Sequence, residues 1–319
     1  MAFAIEARQL TKIYDGKTKA LDGVDLRVNP AKVFALLGPN GSGKTTLMRV
    51  LTTQFKPTSG EARSFGLDVV ESGSEVRKMI GYVPQETSVW ADISGFENLL
   101  IYSKVYGVPS SLRKKSITDA LQSMGLEEVA KRMVKTYSGG MVRRLEIACA
   151  LLVKPRVLFL DEPTIGLDPS ARKAVWENLT SFKKEYGTTV FFNTHYMDEA
   201  DLYSDEIAII NKGKIVKSGT PSQLKHSLRS EILQFRSNHN SIDENVLRNI
   251  KGLAVVRDAI ISDSQLDVFV EDGEFALPLV IEALRSEGVS IERISITRPT
   301  LDDVFLKYVG TLSFGRGKG

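Results

Sequence analysis

The sequence predicts an α/β domain followed by a smaller α+β domain, and two observations support this prediction. In the first part of the 319-residue chain, short apolar runs alternate with segments of helical periodicity, a pattern typical of a parallel sheet covered by helices. Beyond the turn at residues 219–221, the order changes to strand, helix, two strands, helix and strand. We therefore predict one domain over residues 1–220 and a second over residues 221–319.

The elements of the first domain follow from its apolar runs and its helix boundaries. A helix is predicted over residues 94–106, where Ser94 and Glu97 form a capping box. Another is predicted over residues 171–186, with Gly187 as its stop. The predicted strands of this domain are residues 33–37, 157–160, 189–192, 207–210 and 215–216.

The second domain has the element order of a ferredoxin-like split unit, β-α-β-β-α-β. A last helix is predicted over residues 301–309, and the tail at residues 313–319 is expected to be disordered. The predicted strands and helices of the unit are, in order, residues 232–235, 246–250, 253–260, 266–270, 275–285 and 289–296.

Composition narrows the classes of function. The formal net charge of +3 is too small to indicate a nucleic-acid partner, and we predict none. No run approaches the ~18 consecutive apolar residues that a membrane span requires, and we expect no signal peptide. The single cysteine, Cys149, lies in an apolar helical run, so we expect it to pack in the core of a cytoplasmic protein.

The loop Gly38-Pro39-Asn40-Gly41-Ser42-Gly43-Lys44-Thr45 matches the pattern G-x-x-x-x-G-K-[ST] at every fixed position. It lies between the strand at residues 33–37 and a helix predicted over residues 46–51, so its N–H groups point at a helix N-terminus. We expect Lys44 to reach the β- and γ-phosphates of a nucleoside triphosphate, Thr45 to hold Mg²⁺, and Thr46 to lie beside them. The alternative, a chance Gly-rich turn, is disfavoured by the strand–loop–helix context.

Acidic and basic groups follow two other predicted strands. Asp161 and Glu162 end the strand at residues 157–160, and His195 follows the strand at residues 189–192. Because ligands gather at the carboxyl ends of parallel strands, we expect Asp161 to hold Mg²⁺, Glu162 to orient or deprotonate the attacking water, and His195 to donate to the γ-phosphate. The structural alternatives are that the two acids merely begin a loop and that the histidine is a capping or packing residue.

A second anion site is indicated by Tyr137-Ser138-Gly139-Gly140-Met141, which opens a helix running to Leu152. Ser138 can cap this helix, and Gly139 and Gly140 expose N–H groups at its start. One triphosphate cannot occupy both loops unless they meet. Head-to-tail dimerisation, in which this loop of one subunit closes over the triphosphate of the other, is a simple solution.

These motifs together resemble the ATPase subunit of an ATP-binding cassette (ABC) transporter. Residues 38–45 correspond to the Walker A motif of that family, residues 157–161 to Walker B, and residues 137–141 to the signature loop. The resemblance implies a P-loop fold with a helical subdomain at about residues 86–150, and with ATP and Mg²⁺ as ligands. It further implies that Glu162 is the catalytic glutamate and His195 the switch histidine. The remaining implied site residues are Tyr14 stacked on adenine, Gln85 sensing Mg²⁺ and Asp168 in the D-loop.

Tyr137 and Met141 depart from the commonest form of the signature, in which leucine and glutamine are usual. Both departures, and the segment at residues 298–306, resemble the branch that powers exporters of the daunorubicin-resistance type. The resemblance implies a paired ATPase on the inner face of the cell membrane that drives a separate membrane permease. It implies a regulatory or dimerisation role for residues 221–319. A soluble ABC ATPase not coupled to transport and a non-catalytic ATP-binding module are the alternatives, and the cargo is not indicated.

Overall fold

The chain divides into two compact units that meet in sequence between Pro221 and Ser222. A computed structural model describes residues 2–228, 231–237, 243–262 and 265–309. The predicted disordered tail at residues 313–319 lies outside the described residues. Within the described ranges, no helix combines the length and the apolar character needed to cross a membrane.

The first unit contains ten strands and seven helices among its described residues. Its strands are β1 Ile5–Tyr14, β2 Thr18–Val28, β3 Val33–Leu37, β4 Ser59–Ser64, β5 Leu67–Asp68, β6 Ile80–Val83, β7 Val157–Asp161, β8 Thr189–Thr194, β9 Glu206–Asn211 and β10 Lys214–Gly219. Its helices are α1 Lys44–Leu51, α2 Gly73–Met79, α3 Gly95–Val105, α4 Ser110–Ser123, α5 Gly139–Leu151, α6 Pro169–Tyr186 and α7 Met197–Tyr203. A helix α8, Pro221–His226, follows β10.

A six-stranded sheet in the order β10-β9-β3-β8-β7-β6 forms the centre of this unit. All neighbouring strands from β9 to β6 are parallel, and β10 is antiparallel to β9. Every residue of β3, β7 and β8 is buried, which explains why these strands were predicted from continuous apolar runs. The rings of Phe34 and Phe159 pack on Phe191 at 5.4 and 5.5 Å between centroids.

A second, antiparallel sheet in the order β2-β1-β4-β5 was not predicted from the sequence. Charged residues interrupt its apolar positions, so that no continuous apolar run marks these strands. The pairing of β1 with β2 also shifts register between Ala7 and Leu10, where Gln9 has a φ of 46°. Such a bulge breaks the two-residue alternation by which half-buried strands are recognised.

The region predicted as a helical subdomain contains α3, α4 and α5. The capping box of α3 is confirmed, because Ser94 Oγ accepts from the Glu97 N–H at 3.2 Å and the Glu97 carboxylate accepts from the Ser94 N–H at 2.8 Å. Cys149 on α5 is buried, as expected, and burial raises the pKa of its thiol.

The second unit has the predicted β-α-β-β-α-β order. Its elements are β11 Glu231–Ser237, α9 Glu244–Lys251, β12 Val256–Ser262, β13 Gln265–Val270, α10 Gly273–Ser286, β14 Ile291–Thr297 and α11 Leu301–Val309. The sheet order is β12-β13-β11-β14 and all pairs are antiparallel, the ferredoxin-like arrangement. The strand predicted from residue 253 begins at Val256, because a turn closes with the Val256 N–H donating to Leu253 O at 3.0 Å.

Candidate nucleotide-binding and catalytic site

A cavity of ≈ 380 Å³ is lined by residues that follow the carboxyl ends of β3, β6, β7 and β8 and by residues of β1 and β2. Its lining residues are Tyr14, Thr18, Ala20, Pro39, Asn40, Gly41, Gly43, Lys44, Thr45, Thr46, Gln85, Glu162, Ile165 and His195. Most of the predicted nucleotide-binding residues therefore share one cavity. Thr18, Ala20 and Ile165 were missed by the sequence analysis, since no motif marks them.

The loop between β3 and α1 has a conformation that only glycine adopts easily. Gly41 and Gly43 have φ angles of 77° and 108°, and a Cβ on Gly43 would lie 2.5 Å from Ala20 O. Ser42 is buried and its Oγ has no hydrogen-bond partner among the described residues. A glycine-rich cradle with an unpaired hydroxyl at a helix N-terminus fits a polyphosphate.

Lys44 is the first residue of α1 and is only 6 % exposed. Its Nζ donates to Gly38 O at 2.7 Å and to Pro39 O at 3.2 Å, so the loop carbonyls hold the ammonium group inside the cavity lining. Burial lowers the pKa of Lys44, while the carboxylates of Glu162 and Asp161 oppose that shift. Among the described residues no carboxylate is bonded to this buried cation, which suits an anionic ligand.

Asp161, the last residue of β7, is 2 % exposed and is not among the lining residues. Asn193 on the neighbouring β8 donates from Nδ2 to Asp161 Oδ1 at 2.7 Å. The same amide accepts, through its Oδ1, from the Glu162 N–H at 2.7 Å. Asn193 therefore fixes both acids, although the sequence analysis assigned it no role. The sequence signal that could have indicated this role is an amide side chain at the end of a buried apolar strand.

Glu162 and His195 face each other across the cavity lining. His195 Nδ1 lies 2.6 Å from Glu162 Oε2, in a geometry that makes an ion pair when the imidazole is protonated but is not aligned as a hydrogen bond. Glu162 is 7 % exposed and has a φ of 49°, an uncommon value for a residue with a side chain. A buried carboxylate on strained backbone is a feature that clusters at functional sites.

Tyr14 ends β1 and lines the cavity. Its hydroxyl lies 3.4 Å from Thr46 Oγ1, and its ring meets Phe55 edge-on with centroids 6.0 Å apart. Tyr14 is thus both the last residue of a strand and part of the cavity lining, and Lys12 Nζ lies 5.4 Å from its ring centroid.

The structure does not bring Ser138, Gly139 or Gly140 into this cavity. Ser138 caps α5, with its Oγ accepting from the Met141 N–H at 3.3 Å, and both Ser138 and Gly139 are exposed. Asp168 is also outside the lining and caps α6, with Oδ1 accepting from the Ala171 N–H at 3.0 Å. Gly38 and Ser42 of the loop before α1 are buried and are not among the lining residues.

The unusual Tyr137 before the signature serine has a local explanation. Its hydroxyl donates to Val129 O at 2.7 Å, and a Cβ on Gly95 would lie 2.5 Å from that hydroxyl. Tyrosine is thus accommodated by a glycine at the start of α3, and the start of α5 is tied to the loop before it.

Comparison with known families gives two matches along the chain. The family model "ABC transporter" matches residues 21–165. The model "ATP-binding protein DrrA1-3-like, C-terminal domain" matches residues 219–309. The two matches cover parts of both units.

Individual relatives extend over almost the whole chain. The chain is 37% identical to the daunorubicin/doxorubicin resistance ATP-binding protein DrrA of Streptomyces peucetius, over 96% of this chain and 92% of that protein. It is 30% identical to the linearmycin resistance ATP-binding protein LnrL of Bacillus subtilis, over 96% of this chain and 98% of that protein.

Solved structures of ATP-binding cassettes match part of the chain. The protein cbiO1 of Clostridium perfringens, part of the ABC transporter complex cbiONQ, superimposes with a TM-score of 0.66 at 28% identity, over 70% of this chain and 91% of that chain. The ATP-binding cassette MJ0796, dimeric and bound to ADP and Pi, has a TM-score of 0.60 at 26% identity, over 68% of this chain and 98% of that chain. The chain therefore belongs to the ATP-binding subunits of ABC transporters, which hydrolyse ATP, and within them to the branch of the daunorubicin-resistance proteins.

Proposed function

We propose that this chain powers the export of a small, drug- or antibiotic-like molecule through a separate membrane permease. The observation that carries this proposal is the similarity, over more than nine-tenths of the chain, to ATP-binding proteins named for resistance to daunorubicin, doxorubicin and linearmycin. The chain would act from the cytoplasmic side, peripheral to the inner face of the cell membrane.

The site residues divide into those that bind the nucleotide and those that promote its hydrolysis. Lys44 and the loop N–H groups bind the phosphates, and Thr45, Gln85 and Asp161 are the residues that would hold Mg²⁺. The described residues contain no cluster of three or more His, Cys, Asp or Glu side chains that could hold a metal. Oxygens of a bound triphosphate would share in the coordination. Mg²⁺ held by these residues would neutralise charge that develops on the phosphates.

The chemical step uses Glu162 and His195. Glu162 orients the attacking water and accepts its proton, and His195 donates to the γ-phosphate, where negative charge develops. The 2.6 Å distance between His195 Nδ1 and Glu162 Oε2 supports this proposal. Side chains so close together can contact a water and a phosphate oxygen that lie next to each other in the cavity. Tyr14 would stack on the adenine.

Two copies of the chain complete the site. The N-terminus of α5 is exposed at Ser138 and Gly139, and it does not line the cavity of its own subunit. In a head-to-tail pair, Ser138, Gly139, Gly140 and Asp168 of one copy would close over the triphosphate bound to Lys44 of the other. The pair is formed by two copies of this chain or by this chain and a related subunit.

The permease would dock on the helical region after Gln85. Trp90 in this region is 50% exposed, and a cavity of ≈ 490 Å³ nearby is lined in part by Phe96 and Met133. Apolar surface of this kind is typical of a contact with another protein. The second domain predicted from the sequence, residues 221–319, is proposed to regulate hydrolysis or to stabilise the pair.

The proposal is tested by extracting the protein from its native membranes in mild detergent and identifying what is recovered with it. We expect a polytopic membrane protein in near-equal amount. Recovery from the soluble fraction alone, with ribosomal or other soluble partners, would contradict the transport role and favour the alternative, a soluble ABC ATPase not coupled to transport.

A further inference from the structure

A buried ion pair lies on α5, one turn after Ser138. Arg143 NH1 is 3.0 Å from Glu146 Oε2, and the two side chains are 8% and 3% exposed. Removing two charges from water is costly, and such a pair is retained only with good geometry and further hydrogen bonds. The further hydrogen bonds of Arg143 and Glu146 indicate the role of this pair.

Arg143 donates to backbone carbonyl groups in two segments of the catalytic region. Its Nε donates to Pro163 O at 2.8 Å, its NH2 to Asp161 O at 2.9 Å, and its NH1 to Pro84 O at 2.7 Å. The first two acceptors flank Glu162, and the third directly precedes Gln85. A planar guanidinium presents five donors in a fixed fork, so it sets the distances between these segments, which a lysine could not do.

Glu146 binds the other side of the loop that contains Gln85. Its Oε1 accepts from the Ser88 N–H at 2.6 Å and from Ser88 Oγ at 3.2 Å. The pair therefore hydrogen-bonds to this loop at Pro84 and at Ser88, on both sides of Gln85. Gln85 itself lines the cavity. We call Arg143 and Glu146 the α5 clasp.

We propose that the α5 clasp positions Gln85 and the Asp161–Glu162 segment relative to each other, and so sets the Mg²⁺ dependence and the turnover of ATP hydrolysis. This inference rests on the roles proposed above for Gln85 and Asp161. Both clasp residues act through these groups and touch no reactant, so they are positioning residues. Because the clasp sits on the helix that begins at Ser138, it also ties the second anion site of one subunit to that subunit's own catalytic loop.

The test compares two adjacent arginines of α5. Arg143→Gln removes the fork from the catalytic segments, whereas Arg144→Gln is the matched control, because Arg144 donates only to Met124 O and Gly125 O among the described residues. We expect Arg143→Gln to lower kcat about 10- to 100-fold and to raise the Mg²⁺ concentration for half-maximal activity about tenfold. Binding of ATP without Mg²⁺ should change less than about twofold, and Arg143→Lys should not restore the rate.

Two further variants distinguish a failure of the clasp proposal from a failure of the role proposed for Gln85. Gln85→Ala tests Gln85 itself: if it leaves the Mg²⁺ dependence unchanged, the proposed role of Gln85 is wrong. If Gln85→Ala shifts that dependence and folded Arg143→Gln does not, the clasp proposal is overturned. Glu146→Gln, which keeps the side-chain volume, provides the same test should Arg143→Gln not fold. Failure of both variants to fold would assign the pair to stability alone and would also overturn the proposal.

Discussion

The two units each carry a cavity of similar size lined by charged side chains, but the charges are held in different ways. The cavity of the second unit, ≈ 440 Å³, is lined by Glu231, Glu274, Arg298 and others, and the side chains of Glu274 and Arg298 are 74% and 60% exposed. In the first unit, Lys44 and Glu162 are 6% and 7% exposed and are set by backbone that follows buried strands. Burial at a convergent sheet edge, rather than cavity volume, distinguishes the catalytic region.

The largest effect that would sharpen this comparison is expected from Glu162→Gln. The amide keeps the shape of the side chain but cannot accept a proton, so kcat should fall about 10²- to 10⁴-fold. ATP should still bind, and the ATP-bound pair should persist. Steady-state ATP turnover and size-exclusion chromatography with ATP measure both. Glu274→Gln in the second cavity is the control and should keep the normal rate; an active Glu162→Gln would refute the role given to Glu162.

Asn193→Ala should have the next largest effect. It removes the Nδ2 donor of the buried Asp161 carboxylate and the nearer acceptor of the Glu162 N–H, which keeps the Asn193 backbone carbonyl at 3.3 Å. A buried group that loses its hydrogen-bond partner costs about 1–3 kcal/mol, so the denaturation midpoint of the first unit and the ATPase rate should both fall. Urea titration followed by tryptophan fluorescence and an ATPase assay give the two readings. Unchanged stability would mean that these two hydrogen bonds contribute nothing.

Lys44→Met tests the burial of Lys44 through the pH dependence of the free energy of unfolding. Because burial lowers the pKa of Lys44, the unfolded chain binds this proton more readily than the folded one between the lowered value and the ordinary value of 10.5. The free energy of unfolding of the native protein should therefore rise with pH in that interval, relative to Lys44→Met. Denaturation at a series of alkaline pH values gives the difference between the two proteins. A difference that does not change with pH contradicts a lowered pKa.

The smallest effect is expected from Arg298→Ala in the second unit. Because the Arg298 side chain is 60% exposed, its pairs with Glu231 and Glu274 should contribute less than about 1 kcal/mol to stability, and that contribution should decrease with added salt. ATP turnover of the purified protein should be unchanged. A large loss of turnover would break the comparison, because it would show that the exposed cavity contributes to hydrolysis.

Much of the nucleotide site was predictable because its residues are close in sequence. The loop from Gly38 to Thr45 depends on glycine backbone angles and on the helix that follows, and both are local properties. The strands at residues 33–37 and 157–161 are buried on both faces, so continuous apolar runs mark them. The order of the ferredoxin-like unit could also be predicted, since each of its elements has its own periodicity.

Only the tertiary structure decided which segments that are distant in sequence contact each other. Asn193 meets Asp161 because β8 pairs with β7, and strand pairing depends on packing of the whole sheet. Arg143 reaches Pro84 and Asp161 because α5 lies against strands from two other parts of the chain. The sequence by itself determined which local loops can bind phosphate. Non-local burial determined which polar groups hold those loops in place, because a buried donor or acceptor must find its partner wherever the fold brings one.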